Sequence, residues 1–107
     1  MEELKIVISS DFSNKLGGRW IKLGLYSGEA FYNILLLPKY QKAREENVKL
    51  HIYLDGTKGY GSSFLDQSFG ELARNHNVTE VKDTIVFHTD NFAWNVKYIE
   101  DEIWAKI

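Results

Sequence analysis

The sequence predicts an α/β domain built on a four-stranded mixed sheet with three helices, in the order β-β-α-β-α-β-α. Short segments that alternate apolar and polar residues indicate strands, and segments with apolar residues at helical spacing indicate helices. The two kinds of segment alternate over most of the chain, which is typical of one sheet with helices packed on it. A length of 107 residues fits one domain, so we expect residues 1–107 to fold as a single unit.

The strands are predicted from four segments. Residues 4–9 and 20–26 both alternate, and the polar, glycine-ended stretch between them predicts an antiparallel hairpin. Residues 48–54 show the clearest alternation in the chain, and residues 84–89 are predicted to form the last strand. Because a helix separates these last two segments, we expect them to be parallel and joined by a right-handed crossover. Residues 48–54 are expected to be central and residues 4–9 to lie nearer an edge.

The helices are predicted from caps and apolar spacing. Ser27 is the expected N-cap of the first helix, with Glu29 in its electropositive first turn. This helix is expected to end near residue 46, with a kink or restart at Pro38. Residues 62–75 predict a second helix, and Asp90 is the expected cap of a third.

Composition excludes several classes of protein. There is no cysteine, which removes disulfide scaffolds, thiolate nucleophiles and cysteine-ligated metals. The net charge is −2 without a Lys/Arg stripe, so we predict no nucleic-acid binding. The longest aliphatic run, residues 34–37, is too short to cross a membrane, and Met1-Glu2-Glu3 is acidic where a secretory signal is basic. We therefore expect a cytoplasmic protein without a membrane partner.

Catalytic and metal motifs are not found. His51, His76 and His88 match no zinc spacing, so we predict no metal and no other cofactor. A triad of Ser62, His88 and Asp55 can be assembled on paper, but the GxSxG pattern of a nucleophile elbow is missing. We predict that the protein is not an enzyme, with a small hydrolase as an alternative.

A glycine-rich loop at residues 55–61 connects the third predicted strand to the second predicted helix. Ligands of open α/β sheets bind beyond the carboxyl ends of strands, and free amides at a helix start favour anions. We therefore predict a partner-binding or anion-binding site formed by Asp55, Gly59, Tyr60, Gly61, Ser62 and Arg19.

Each of these residues also has a structural interpretation. Asp55 can instead accept hydrogen bonds from amides of its own loop, and Arg19 can be a charge at a strand edge. Ser63 and Asp66 have capping-box spacing, so Ser63 is a candidate helix cap. The spacing of a Walker phosphate-binding loop is absent, which excludes a nucleotide site of that type.

Several short motifs resemble a known family. They are Gly17-Gly18-Arg19, Ser27-Gly28-Glu29-Ala30-Phe31, Leu54-Asp55-Gly56, and the run from Gly59 to Leu65 with Phe69-Gly70 after it. Together they resemble the bacterial STAS-like domain family of unknown function, named for its similarity to sulfate transporter and anti-sigma factor antagonist domains. The resemblance implies a STAS-like fold and a signalling role through protein–protein interaction.

The resemblance also implies a switch. In the anti-sigma factor antagonists, a histidine-kinase-type ATPase phosphorylates a serine at the start of the helix after the third strand, and the phosphate blocks partner binding. Ser62 takes the place of that serine here, and Ser63 is the second candidate. The sequence departs from the antagonist pattern at Gly61, where antagonists have aspartate, and at Phe64, where they have glycine.

The resemblance thus predicts an intracellular regulatory module whose partner is a histidine-kinase-type ATPase. A phage-encoded or defence-related inhibitor on the same scaffold is the alternative. Trp94 falls outside the apolar stripe of the last predicted helix, which leaves a homodimer surface open as a further alternative.

Overall fold

Three parallel strands form the sheet in a computed structural model that describes residues 4–107, apart from the side chain of Leu23. The strands are β1 (Lys5–Val7), β2 (Leu50–Tyr53) and β3 (Ile85–His88), in the spatial order β1-β2-β3. The register pairs Ile6 with Ile52, and Ile52 with Phe87. β2 is therefore central, as its strong alternation predicts. The acidic residues 1–3, on which the expectation of no signal peptide depends, lie outside the described residues.

Within residues 4–107, five helices accompany the sheet. The helix α1 is the single turn Ile8–Asp11, and α4 is Val78–Thr84. The other three are continuous and each contains a π-helical turn. They are α2 (residues 28–46: Gly28–Phe31, Tyr32–Leu36 and Leu37–Glu46), α3 (residues 62–75: Ser62–Leu65, Asp66–Gly70 and Glu71–Asn75) and α5 (residues 93–106: Ala93–Tyr98, Ile99–Ile103 and the 3-10 turn Trp104–Lys106).

The predicted four-stranded mixed sheet is wrong, because residues 20–26 form no strand. This segment contains only the 3-10 turn Ile21–Leu23, and Ile21 and Leu25 are exposed. The Tyr26 carbonyl oxygen accepts the Gly17 N–H (2.8 Å), a hydrogen bond within the loop. The carbonyl oxygens of residues 18 and 19, just before the segment, accept amides at the start of α2 and not of a strand. Over the residues that the structure describes, the sheet accordingly has no hairpin, and its three strands are all parallel.

The helix predictions also need correction, because the described part of the chain has five helices and three were expected. The turn α1 and the helix α4 were not predicted; Asn77 caps α4 by accepting from the amides of Thr79 and Glu80. The chain stays helical through Pro38, which lies in the interior of α2, two residues after the π-helical turn Tyr32–Leu36. The expected cap Asp90 is also wrong, since α5 begins at Ala93.

The helices cover one face of the sheet. Alternate residues of the strands point into the core, and Ile6, Leu50 and Ile52 are fully buried there. Phe87 completes this layer, because its ring packs against Phe69 of α3 (centroids 5.2 Å apart) and Trp104 of α5. The other face carries side chains that are exposed or half-buried, namely Lys5, Val7, His51, Tyr53, Val86 and His88.

No helix between residues 4 and 107 combines the length and the apolar character that a membrane crossing needs.

Candidate functional site

The candidate site is the loop that leaves the central strand at its carboxyl end. Gly56 has a φ of +96° and Gly59 a φ of +141°, a region of backbone conformation that glycine alone adopts without strain. A side chain at position 56 would also lie 2.6 Å from the Oγ of Ser9. The Lys58 N–H donates to the carbonyl oxygen of Asn14 (2.9 Å), which fastens the loop to the segment after α1.

Asp55 binds the loop that follows the neighbouring strand. Its carboxylate accepts the hydroxyl of Thr89 (2.6 Å) and the amides of Asp90 (2.8 Å) and Asn91 (3.1 Å). These bonds lower the pKa of the Asp55 carboxyl group, the Thr89 hydroxyl most strongly. The alternative prediction, in which Asp55 accepts hydrogen bonds from its own loop, is therefore wrong. Asp55 instead binds the connection between β3 and α5.

Tyr60 closes the loop over the core. Its hydroxyl donates to the Leu54 carbonyl oxygen (2.7 Å), and its ring contacts Phe64 and Phe92 (centroids 6.1 and 5.1 Å). Burial raises the pKa of Tyr60 to about 12, so the phenol stays protonated and continues to donate. The Tyr60 side chain therefore joins the loop to Phe64 of α3 and to Phe92.

The two candidate serines are exposed to solvent at the start of α3. The N-cap is Gly61, in extended conformation (φ −76°, ψ 151°), and Ser62 and Ser63 are exposed in the first turn. The capping-box prediction for Ser63 and Asp66 is wrong, because Ser63 lies inside the helix and Asp66 is engaged elsewhere. The next residue, Phe64, is fully buried, so the helix start is anchored while its serines face solvent.

Asp66 is bound by two arginines. Its carboxylate contacts the guanidinium groups of Arg19 (2.6 Å) and Arg74 (2.9 Å). Partial burial raises the pKa of Asp66, but the hydrogen bonds and charges of the two arginines outweigh it, and the net pKa lies below its usual value. Arg19 is thus neither a strand-edge charge nor an unpaired cation, because its ion pair with Asp66 connects the segment after α1 to α3. Its predicted part in anion or partner binding stays a prediction.

The start of α2 lies against α3. The Ser27-Gly28-Glu29 motif predicts the helix cap but not this contact between the helices. Ser27 is fully buried and its Oγ accepts the Ala30 N–H (3.0 Å), which confirms the predicted cap. A Cβ on Gly28 would lie 2.7 Å from the Phe64 carbonyl oxygen. The motif glycine therefore permits the two helices to cross closely, a role that becomes visible only from the packing.

An apolar surface adjoins this crossing, and sequence analysis missed it by placing its residues in a strand. Leu25 is 79% exposed, and Trp20, Ile21 and Tyr26 are exposed as well. The ring of Phe12 contacts both Tyr26 (5.6 Å) and Phe64 (6.5 Å), which connects this surface to the first turn of α3. We call Trp20, Ile21, Leu25 and Tyr26 the apolar loop.

Ser62, His88 and Asp55 do not form a catalytic triad in the structure. The carboxylate of Asp55 bonds Thr89 and the amides after it, and the Nε2 of His88 lies 2.8 Å from the Nδ1 of His51. His76 instead lies at the end of α3, with its Nδ1 3.0 Å from the Leu72 carbonyl oxygen. Among residues 4–107, no three His, Asp or Glu side chains gather in the manner of a metal site.

One comparison with known proteins identifies relatives. No curated protein and no solved structure matches the chain. A family described as a STAS-like domain of unknown function matches residues 27–91, which is more than half of the chain. The match begins at the buried cap of α2 and includes the glycine loop, the open start of α3 and all of β3, so it contains most of the candidate site. The chain therefore belongs to the family of STAS-like domains of unknown function.

Proposed function

We propose that the protein is a cytosolic regulatory module that binds another protein through the first turn of α3 and the apolar loop beside it, without catalysis of its own. The observation that carries the proposal is the open start of α3. Ser62 and Ser63 are exposed at the end of the glycine loop, on a helix whose N-cap, Gly61, has no side chain to occupy the first-turn amides. Amides in this position bind anions and phosphorylated side chains well.

The apolar loop supplies the contact area for such a partner. Exposed aromatic and aliphatic side chains that lie on an ordered support are the usual hot spots of protein interfaces. Trp20 and Tyr26 belong to a segment that is fixed to α3 through the Arg19–Asp66 ion pair and through Phe12. The segment therefore presents its apolar side chains without a large ordering cost when a partner docks.

Phosphorylation of Ser62 or Ser63 would act as a switch at this surface. A phosphate adds about −1.5 to −2 charges at neutral pH and can bond the first-turn amides of α3. Ser62 and Ser63 precede Asp66 by four and three residues, so they share its side of the helix. The phosphate would repel Asp66 and compete with it for Arg19, which holds the apolar loop in place.

The proposed partner and modifying enzyme is a histidine-kinase-type ATPase, as the likeness to anti-sigma factor antagonists implies. Gly61 and Phe64 differ from the antagonist pattern, and each has a structural role in this chain. Gly61 provides the extended N-cap, and Phe64 packs under the loop against Tyr60 and Phe31. Both departures leave Ser62 accessible to a kinase.

The test uses capture from the native organism with wild type, Ser62→Ala and Ser62→Asp, followed by identification of the captured proteins and of phosphorylated residues on the chain. We expect a histidine-kinase-type ATPase among the captured proteins, phosphate on Ser62 or Ser63, and at least about tenfold weaker capture by Ser62→Asp, equivalent to ~1.4 kcal/mol. Ser62→Ala should capture as wild type does.

The matched control is Thr79→Asp, which places the same charge in the first turn of α4, at an exposed position away from the proposed surface. It should capture as wild type does. Equal capture by Ser62→Asp and Thr79→Asp, together with serines that carry no phosphate, would refute the switch.

A further inference from the structure

The outer edge of β1 is closed by side chains. The His51 N–H of β2 donates to the Leu4 carbonyl oxygen (3.0 Å), and backbone groups alternate along a strand, so those of Val7 point away from β2. On that outer side the Val7 N–H donates to the carboxylate of Asp11 (2.7 Å), and the Ser10 hydroxyl lies 3.4 Å from the Val7 carbonyl oxygen. The turn α1 thus occupies this edge of the sheet.

The outer edge of β3 has no such closure. The Leu54 N–H donates to the His88 carbonyl oxygen (3.0 Å), so His88 faces β2, and the N–H and carbonyl of Phe87 point to the other side. No strand lies on that side among residues 4–107, and a cavity of about 460 Å³ borders Phe87, His88 and Thr89. β1 carries Lys5, the type of residue that discourages edge pairing, whereas β3 contains no Asp, Glu, Lys or Arg.

We propose that the outer edge of β3 pairs antiparallel with β3 of a second copy of this chain, about a two-fold axis at Phe87, so that two three-stranded sheets join into one. A two-fold axis brings the same strand of both copies together, and the two Phe87 residues then exchange both of their N–H···O bonds. Val86 of each copy lies opposite His88 of the other, on the face that the helices leave uncovered.

The charges at the two ends of β3 favour the antiparallel orientation. Lys82 and Asp83 are exposed just before the strand, and the Nζ of Lys49 donates to the Asp83 carbonyl oxygen at the same end. Asp55 and Asp90 lie together at the other end, where the Asp90 N–H donates to the Asp55 carboxylate (2.8 Å). An antiparallel pair places the end with two lysines and one aspartate beside the end with two aspartates, at both ends of the interface. A second copy is therefore complementary in charge as well as in hydrogen bonds.

The side chains of β3 also gain by this pairing. Phe87 is only half-buried, although its ring packs on Phe69 and Trp104 within its own chain. The second Phe87 covers the exposed part of the ring, and cross-strand aromatic pairs stabilise a sheet. One short strand edge buries less than about 1,200 Å², the range of weak complexes, so we expect a dimer that dissociates on dilution.

The experiment measures sedimentation of tag-free, full-length protein from micromolar to millimolar concentration, and amide hydrogen exchange by NMR at both extremes. We expect a monomer–dimer equilibrium, and slower exchange of the Phe87 amide at the high concentration. The Val7 amide is the internal control, because its hydrogen bond to Asp11 lies within one chain and its exchange should not depend on concentration.

Val86→Lys and Val7→Lys are matched variants, because both valines are half-buried on the uncovered face and they lie on opposite edges of the sheet. Two lysines at position 86 lie diagonally across the proposed axis, so Val86→Lys should weaken dimerisation at least about tenfold through like-charge repulsion. Val7→Lys should dimerise as wild type does. Circular dichroism establishes that both variants are folded.

Three results would each overturn the proposal. The first is a wild type that stays monomeric at millimolar concentration, which would leave the edge to a different protein or to none. The second is a dimer in which exchange of the Phe87 amide does not change with concentration, which would place the interface elsewhere, for example at the exposed Trp94. The third is a folded Val86→Lys that dimerises as strongly as Val7→Lys. If Val86→Lys does not fold, the wild-type exchange of Phe87 decides alone.

Discussion

The helices α2 and α3 begin in opposite ways, although both begin at a glycine and a serine. At α2 the serine is the cap: Ser27 is fully buried, its Oγ accepts the Ala30 N–H, and the amides of Gly28 and Glu29 donate to backbone carbonyls of residues 18 and 19. At α3 the glycine is the cap, and the serines are exposed in the first turn. The start of α2 is therefore buried and its first amides are hydrogen-bonded, whereas the start of α3 exposes its serine side chains to solvent.

The difference follows from what surrounds each glycine. The backbone of α3 lies directly over Gly28, whereas no atom comes within 4 Å of a Cβ built on Gly61. The same residue type thus serves close packing in one place and an open helix start in the other. The two starts are also linked, because Arg19, whose carbonyl caps α2, forms an ion pair with Asp66 of α3.

The largest predicted effect is that of Gly28→Ala. Its Cβ would meet the carbonyl oxygen of Phe64 at 2.7 Å and the Cβ of Gln67 at 3.1 Å, and the backbone atom cannot turn away as a flexible side chain could. We expect the free energy of unfolding to fall by about 1–3 kcal/mol, as is usual for overpacking. Urea unfolding followed by circular dichroism measures this change.

Gly61→Ala is the matched control for Gly28→Ala. Its backbone angles (φ −76°, ψ 151°) suit any residue, and the space around it is open. We expect a change of no more than about 0.5 kcal/mol, the range of surface substitutions. If the two variants were equally stable, the closed and open starts would not differ in packing, and the comparison would fail.

The next effect concerns the caps. Ser27→Ala removes a buried acceptor and leaves the Ala30 N–H without its partner, so we expect a loss of about 1–2 kcal/mol. Ser63→Ala should change stability by less than about 0.5 kcal/mol, because Ser63 caps nothing and is exposed. Thermal unfolding of both variants beside wild type measures the contrast, and a larger loss for Ser63→Ala would restore it as the cap of α3.

Much of this arrangement was predictable from local sequence signals. The Ser27 cap, the glycine loop and the helix at residues 62–75 each follow from patterns of adjacent residues, and the structure confirms them. The central position of β2 follows from its strong alternation. The Ser27 cap, the glycine loop and the helix at residues 62–75 depend on backbone conformations that the residues themselves favour, so tertiary contacts were not needed to predict these three features.

The failures come from features decided by distant contacts. Residues 20–26 alternate as a strand would, but Trp20, Ile21, Leu25 and Tyr26 are exposed to solvent. The residues just before this segment bond to the start of α2, because the carbonyl oxygens of residues 18 and 19 accept its first amides. Four of the five partners of Asp55 and Asp66 lie more than thirty residues away along the chain, and the fifth, Arg74, lies eight residues after Asp66, so no spacing rule shows them. The His51–His88 contact likewise depends on strand register.

The smallest predicted effect tests the link between the two helix starts through its dependence on pH. The ion pairs of Asp66 hold its pKa below the usual value in the folded protein. Its contribution to stability is therefore fully present above the pKa of the unfolded chain and is lost as the pH falls through the folded pKa. We expect acid to destabilise wild type more steeply than Asp66→Asn, which cannot titrate at that position.

Asp83→Asn, which removes an exposed carboxylate on α4, controls for the change in net charge. Urea unfolding of the three proteins from neutral pH down through the range of aspartate titration measures the slopes. Asp55, whose pKa is also lowered, titrates in all three and cancels from the comparison. Parallel slopes for wild type and Asp66→Asn would mean that the Arg19–Asp66 ion pair adds nothing to the fold, and that the two helix starts are joined by packing alone.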